Sequence, residues 1–380
     1  MEREQRAALY VSVGRELTHY DIDVARAELV KRATIELPQN LQYAWPHPSH
    51  EYLYAACSNG SPESGGDAHC AVALDIDPKS RALRAHGPEV PLPSRPIHVT
   101  LDGAGAHMLT VYNKPSSITV HRIGREGSIG ALVRQSGDLD TGIYAHQVKV
   151  APSNRAVVVV ARGNDAQGDR AEDPGALKVF RYADGQLAPS RPVAPNGGYG
   201  FGPRHIDFHP SRPWVYASLE RQNTLQMYRF DNDAMEEAPA YTKETLADAQ
   251  GKRRRQRPGT IHVHPNGQYV YVANRASGAD GEGFYIGGEN NIAVYRIDAK
   301  TGEPTAIQHA DTHGVVPRTF ALDPTARLLV AANSVAIRTR EGAISPSLAV
   351  FKVAGDGTLE YVRKYDVDVG QETMFWMGIV

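Results

Sequence analysis

In the stretch GPRHIDFHPSRPWVYASLERQ, residues 202–222, Arg204 and Glu220 stand sixteen positions apart at the two ends of a predicted β-hairpin. A guanidinium is a planar charged fork that suits a carboxylate, a phosphate or a developing oxyanion. A carboxylate beside it can move a proton. Taken singly, charges at strand ends are most often just solvated. Whether these two form half of a chemical site depends on what the rest of the chain brings to the same end.

The rest of the chain repeats this hairpin. PHPSHEYLYAACSN, LDGAGAHMLTVYN, VAPSNRAVVVVAR, FHPSRPWVYASLE, VHPNGQYVYVANR and LDPTARLLVAANS share one form: an apolar position, a turn, then a run rich in Val, Tyr and Leu. Further short strands follow each run (SSITVHRI, ALKVFRY, TLQMYRF, IAVYRID, LAVFKV), and outer ones such as YTKETL or YVRKYDV close several units. Four short strands in a meander, recurring about every fifty residues, are the signature of β-propeller blades. The segment ALYVSVGRELTHYDIDVARAELVKRATIEL holds three strands and lacks a leading one, which ETMFWMGIV can supply. The predicted fold is all-β: a seven-bladed β-propeller of four-stranded antiparallel blades, closed by the C-terminal strand joining the N-terminal blade. Its blades span approximately 7–38 plus 371–380, 40–92, 94–139, 143–193, 199–248, 257–310 and 315–368. Closure removes the exposed sheet edges of an open array.

Aligning the six complete units on their hairpin turns separates structural from chemical columns. Six residues before the turn stand Gln42, Ile97, His146, Arg204, Gly259 and Arg318; ten after it stand Ser58, Asn113, Arg162, Glu220, Arg275 and Ser334. A neighbouring column holds Tyr43, His98, Gln147, His205, Thr260 and Thr319. All three columns fall at one end of the hairpin. With first strands lining the central channel, they ring one of its mouths, and their charges concentrate in blades four, five and six. Such a cluster is costly unless something anionic binds there.

Bulk properties narrow the function classes. The 380 residues carry a formal net charge of −2 and are 22% charged, which gives no long-range pull toward nucleic acid or an anionic membrane. Cys57 and Cys70 are the only cysteines, too few for a disulfide framework. No signal-peptide core opens the chain and no apolar run reaches the length of a membrane span, so a cytoplasmic protein is expected. A closed propeller buries its core without a partner, so a monomer or a weak homo-oligomer is expected.

GPRHIDFHP, the Asn-Arg of VYVANRAS, VPRTFALDPTARLLVAAN and the final GQETMFWMGIV resemble the seven-bladed β-propeller lactonase family, which includes propeller-type 6-phosphogluconolactonases and carboxy-cis,cis-muconate cyclases. The resemblance runs over essentially the whole chain. It implies a site at one channel mouth, built from His146, Arg204, Glu220 and Arg275. The chain departs from the family in two longer loops, GNDAQGDRAEDPG after Arg162 and ASGADGEGFYIGGENN after Arg275. Both are expected to overhang the site as a lid or rim, with Tyr285 in reach of substrate.

The expected activity is therefore hydrolysis of the ring ester of a small anionic lactone. His146 or Glu220 would activate water, and Arg204 and Arg275 would clamp the anion or the oxyanion. His205, Arg162, Arg318, Tyr43, His98, Asn113 and Tyr285 are the expected substrate contacts. The basic run KRRRQR (252–257) is placed to add cations at the rim. Run in reverse, the same groups suit a cycloisomerase that closes a lactone from a carboxymuconate. A non-catalytic binding platform is the third reading, although none of Trp45, Trp214 and Trp376 is followed by Asp as in WD-type scaffolds. The columns are cationic, so no metal and no cofactor is expected; the partner is a small anionic lactone or carboxylate.

Overall fold

Second strands such as Ala156–Ala161 (AVVVVA) and Trp214–Leu219 (WVYASL) are buried at every position. Residues on both faces of such a strand must therefore find apolar neighbours, as happens where each sheet is packed between two others. Outer strands such as Leu83–Pro91 and Leu359–Asp366 expose half or more of theirs. The computed structural model, which describes residues 7–62, 64–251 and 253–380, satisfies both patterns with seven antiparallel sheets arranged as a propeller, six of them four-stranded as expected and the fifth blade five-stranded, because Thr224–Asp231 pairs with both Ala234–Met235 and Tyr241–Glu244.

Six blades follow chain order from the innermost strand outward, beginning at Leu41–Pro46, Pro96–Leu101, Ala145–Val150, Pro203–Phe208, Gln256–Val263 and Pro317–Leu322. The remaining blade pairs the C-terminal strand Met374–Ile379 with Ala8–Val13, so the chain's last strand is innermost in its first blade. Each innermost strand packs on the next round the axis, and Met374–Ile379 lies between the strands at 317–322 and 41–46. The ring is closed. Helical structure among the described residues is limited to two 3₁₀ turns, Pro195–Gly198 and Ala249–Gly251. A small hairpin, Ile337–Thr339 with Gly342–Ile344, is inserted between the second and third strands of the seventh blade.

Between blades, buried tyrosines tie one sheet to a turn in the next. Tyr54 donates to the carbonyl of Gly127 (2.8 Å), Tyr216 to that of Gly302 (2.8 Å) and Tyr271 to that of Gly357 (3.0 Å). Gly302 adopts a φ of +79°, and an added Cβ would meet the Trp214 ring at 2.7 Å, so this turn admits no side chain without movement. Cys57 and Cys70, both buried thiols, face each other across adjacent strands of the second blade.

The innermost strands share one irregularity. In the 145–150 strand Ala145 pairs with Ala161 and Gln147 with Val160, leaving His146 as an extra residue. The same slip leaves Gln42, Ile97, Arg204 and Arg318 unopposed in their strands, and Gly259 with Thr260 in the sixth blade. In the first blade it falls between Met374 and Met377, at Phe375 and Trp376. A bulge breaks the ladder locally and re-aims a side chain. Here seven bulges, one per blade, stand at the same end of the ring.

Candidate active site at the channel mouth

The bulges aim His146, Arg204, Arg318 and Phe375 into one narrow cavity of about 90 Å³, which Tyr43, Arg95, Tyr144, His205 and Thr319 also line. The polar column read from the hairpins is thus a physical ring. Its members converge because each is the residue that ladder pairing leaves over.

Glu220 lies 3% exposed at the end of its strand and collects the arginines. Arg275 Nη2 donates to its Oε1 at 2.5 Å and Arg204 Nη1 to the same oxygen at 3.2 Å, while Arg162 Nε donates to Oε2. Arg257 Nη1 stands 3.7 Å from Oε1. Burial alone would raise this carboxyl's pKa, but Arg204, Arg275, Arg162 and Arg257 together hold it far below the usual carboxylate range. Glu220 is an anion at any working pH. It stands in contact with four guanidinium groups.

His146 is the opposite case. Burial lowers its pKa well below that of a free imidazole, and Arg204, Arg162, Arg318 and Arg275 lower it further. Its ring stacks on Tyr144 (centroids 6.2 Å apart, planes at 13°), and Nδ1 has no hydrogen-bond partner. Tyr144 itself is held at a φ of +60°, uncommon for a bulky residue, and lies under the Arg162 guanidinium. The imidazole is therefore neutral, with one ring nitrogen unengaged.

Among the described residues Arg318 is the second group in the cavity without a charged partner. Its guanidinium lies over the Phe375 ring at 3.9 Å and Nε donates to the Phe375 carbonyl at 3.0 Å. Among the described residues no carboxylate stands within ion-pair distance of it. Burial, with Arg204 and Arg95 nearby, pushes its pKa down to about 9. One level further along the inner strands the contrast is plain, because there Lys149 is paired with Asp207, whose other oxygen takes the Val263 amide at 2.8 Å.

The remaining expected contacts divide. His205 lines the cavity, 5.1 Å from His146 by ring centroids, and Tyr43 lines it from the other side. His98 lies fully buried beneath Tyr43, ring centroids 3.9 Å apart. Arg162 belongs to the Glu220 cluster. Asn113, at the end of the strand His107–Asn113, is not brought to the cavity, and Tyr285 lines a separate groove with Asn290, whose amide donates to its hydroxyl at 2.6 Å. The two long loops also part company. Loop 163–175 sends Asp165 into the arginine cluster, where it binds Arg162, Arg221 and Arg257. Loop 276–291 docks instead on the inserted hairpin: Arg340 binds Asp280 (2.7 Å) and Glu282 (3.1 Å), and Arg338 covers Phe284. Of the basic run, Lys252 lies outside the described residues and Arg257 joins the cluster.

Arg95, Tyr144, Asp165 and Phe375 were not among the expected site residues. Phe375 had a legible signal, since it holds the bulge position of a strand already assigned to the ring. Asp165 had none, because a Gly-Asp-rich loop carries no register.

The structure is thus a closed seven-bladed propeller whose mouth gathers arginines around a buried carboxylate and a neutral histidine. The chain belongs to the seven-bladed β-propeller lactonase family, whose profile matches residues 8–341. It is 28% identical over 276 residues to the 6-phosphogluconolactonase of Bacillus subtilis, covering 69% of this chain and 70% of that one. It is 23% identical over 379 residues to the 6-phosphogluconolactonase of Yersinia pseudotuberculosis, covering 98% of each. In fold it is similar to a protein of Lactobacillus plantarum (TM-score 0.74, 20% identity, 99% of this chain and 98% of that one). It is also similar to the periplasmic gluconolactonase of Pseudomonas aeruginosa (TM-score 0.71, 19% identity, 97% and 98%).

Proposed function

We propose that the chain hydrolyses the ring ester of a small anionic lactone, with His146 as the base. The observation that carries this reading is the pairing, in one cavity, of a buried guanidinium without a counter-carboxylate and a neutral imidazole without a hydrogen-bond partner at Nδ1. The substrate's anionic group takes Arg318. Water then attacks the ring carbonyl carbon while His146 accepts its proton. Arg204, held by Glu220, faces the oxygen on which negative charge collects. The ring carbon–oxygen bond breaks, and the imidazolium returns the proton to the departing alkoxide, giving the open hydroxy acid. Glu220 stays ionised throughout and keeps Arg204 and Arg275 in place.

A panel of phosphorylated and unphosphorylated sugar lactones, carboxylated lactones and carboxymuconates, followed for ring opening or closure, tests the reading. Opening of an anionic lactone that falls roughly 10²–10⁴-fold in His146→Ala is the expected result. Ring closure of a carboxymuconate without lactone opening would assign the same groups to a cycloisomerase. No turnover of any member would leave a binding platform.

A further inference from the structure

Glu220 is not the only anion in the arginine cluster. Asp165, three residues beyond Arg162 on loop 163–175, uses both of its carboxylate oxygens: Oδ2 accepts from Arg162 Nη2 and Arg257 Nη2, each at 2.9 Å, and Oδ1 accepts from Arg221 Nε at 2.8 Å. Three guanidinium groups converging on one carboxylate is how a bound phosphate or carboxylate is held. Two of the three, Arg162 and Arg257, also reach Glu220, so this fork is continuous with the cluster behind the cavity. The loop is fastened over it from its far side, where Glu172 binds Arg221 Nη1 (2.5 Å) and the Gly200 amide (2.6 Å).

We propose that Asp165 is a tethered competing anion: it fills a phosphate-sized site formed by Arg162, Arg221 and Arg257, and by doing so limits how much negative charge the substrate can bring. As a specificity device this rests on the lactone reading above; as an anion site it stands alone. With Asp165 seated, Arg221 and Arg257 are neutralised, and the charge left for a ligand is on the Arg204 and Arg318 side. That suits a single carboxylate better than a phosphate dianion. Removing the carboxylate opens the fork. The gain then goes to the more highly charged ligand.

The test is binding of inorganic phosphate to the full chain, measured by titration calorimetry for wild type, Asp165→Ser and Asp169→Asn. Serine removes both the charge and the bulk that fill the fork, and the Asp169 variant removes an exposed charge from the same loop without touching the arginines that Asp165 binds. Expected is phosphate affinity about tenfold or more tighter in Asp165→Ser, and unchanged in Asp169→Asn. A kinetic arm compares gluconolactone with its 6-phosphate: the phosphorylated-to-unphosphorylated ratio of kcat/KM should rise by a similar factor in Asp165→Ser, through KM. Unchanged phosphate affinity in Asp165→Ser, or an equal gain in Asp169→Asn, overturns the proposal. Asp165→Ala gives a second reading of the opened fork. Failure of both Asp165 variants to fold would make the residue a structural tie and also overturn it. If wild type opens neither lactone while Asp165→Ser still gains phosphate affinity, the lactone reading falls and the anion site stands.

Discussion

The same arginines lower the pKa of both Glu220 and His146, with opposite consequences for charge. Positive neighbours keep the carboxylate ionised, and burial together with those neighbours keeps the imidazole neutral; in the proposed reaction this separates an organiser from a base. Three outcomes follow at this scale. Glu220→Gln should disorder Arg204 and Arg275 and leave buried cations uncompensated; a loss of roughly 3–5 kcal/mol in denaturant unfolding is expected. Arg318→Ala should raise KM for an anionic lactone about 10–100-fold with kcat little changed, since an anchor distant from the reacting bond binds ground and transition states alike. Arg204→Ala should instead lower kcat by ~10²–10³, as the loss of an oxyanion donor does. The four residues that the family resemblance implies were legible in sequence because they fall in hairpin columns, and hairpin register survives in a repeat. Arg318 was legible for the same reason. The ionisation of Glu220 was not, because it depends on four arginines, Arg204 from its own blade and Arg162, Arg257 and Arg275 from the blades on either side, whose convergence no spacing encodes.

Each blade's innermost strand carries a bulge at the mouth, and this one device turns an ordinary ladder into a site. Without the bulge, a strand that points Ile206 and Phe208 into the interblade core would point Arg204 there too, by the period of two. Deleting Arg204, as opposed to substituting it, should therefore restore unbroken pairing with His205 still opposite Ser218, removing the guanidinium and its hold on Glu220 and abolishing activity with the sheet intact by circular dichroism. The interblade tyrosines are a second element-level device. Tyr271→Phe leaves the Gly357 carbonyl without its donor in a buried turn and should cost ~1–2 kcal/mol in thermal or denaturant unfolding, with KM and kcat unaffected. The strands themselves were legible, since runs of Val and Tyr between Pro-, Gly- and Asn-rich turns allow little else. The inserted hairpin of the seventh blade was not, because Ile337–Thr339 is too short to show a period.

At the scale of the whole molecule, closure and electrostatics govern behaviour. Removal of residues 371–380 takes the innermost strand from the first blade and its packing partner from the seventh, and the truncated chain should fail to give a cooperative unfolding transition. The pH profile follows from the cluster as a whole. A histidine whose folded pKa is depressed stays neutral as pH falls through the range where a free imidazole protonates, so the acid limb of kcat/KM should lie well below pH 6.5. An acid limb at or above that pH would show that His146 is not the base. Stability responds with the same sign. Keeping His146, His205 and His98 neutral works against the folded state once the unfolded chain binds those protons, and the depressed carboxyl of Glu220 stabilises it above its unfolded pKa and is lost only in strong acid.

The order of side chains along a strand is a local property, so the repeat, the seven-bladed closure and the polar columns could all be read from the chain alone. Charge compensation is a global one. Whether an arginine is spent on a carboxylate or left for a ligand depends on which strands and loops meet it in space. Tertiary structure alone decided that Glu220 and Asp165 take up most of the cluster, that Arg318 is left over, and that one long loop enters the site while the other, with Tyr285, docks elsewhere.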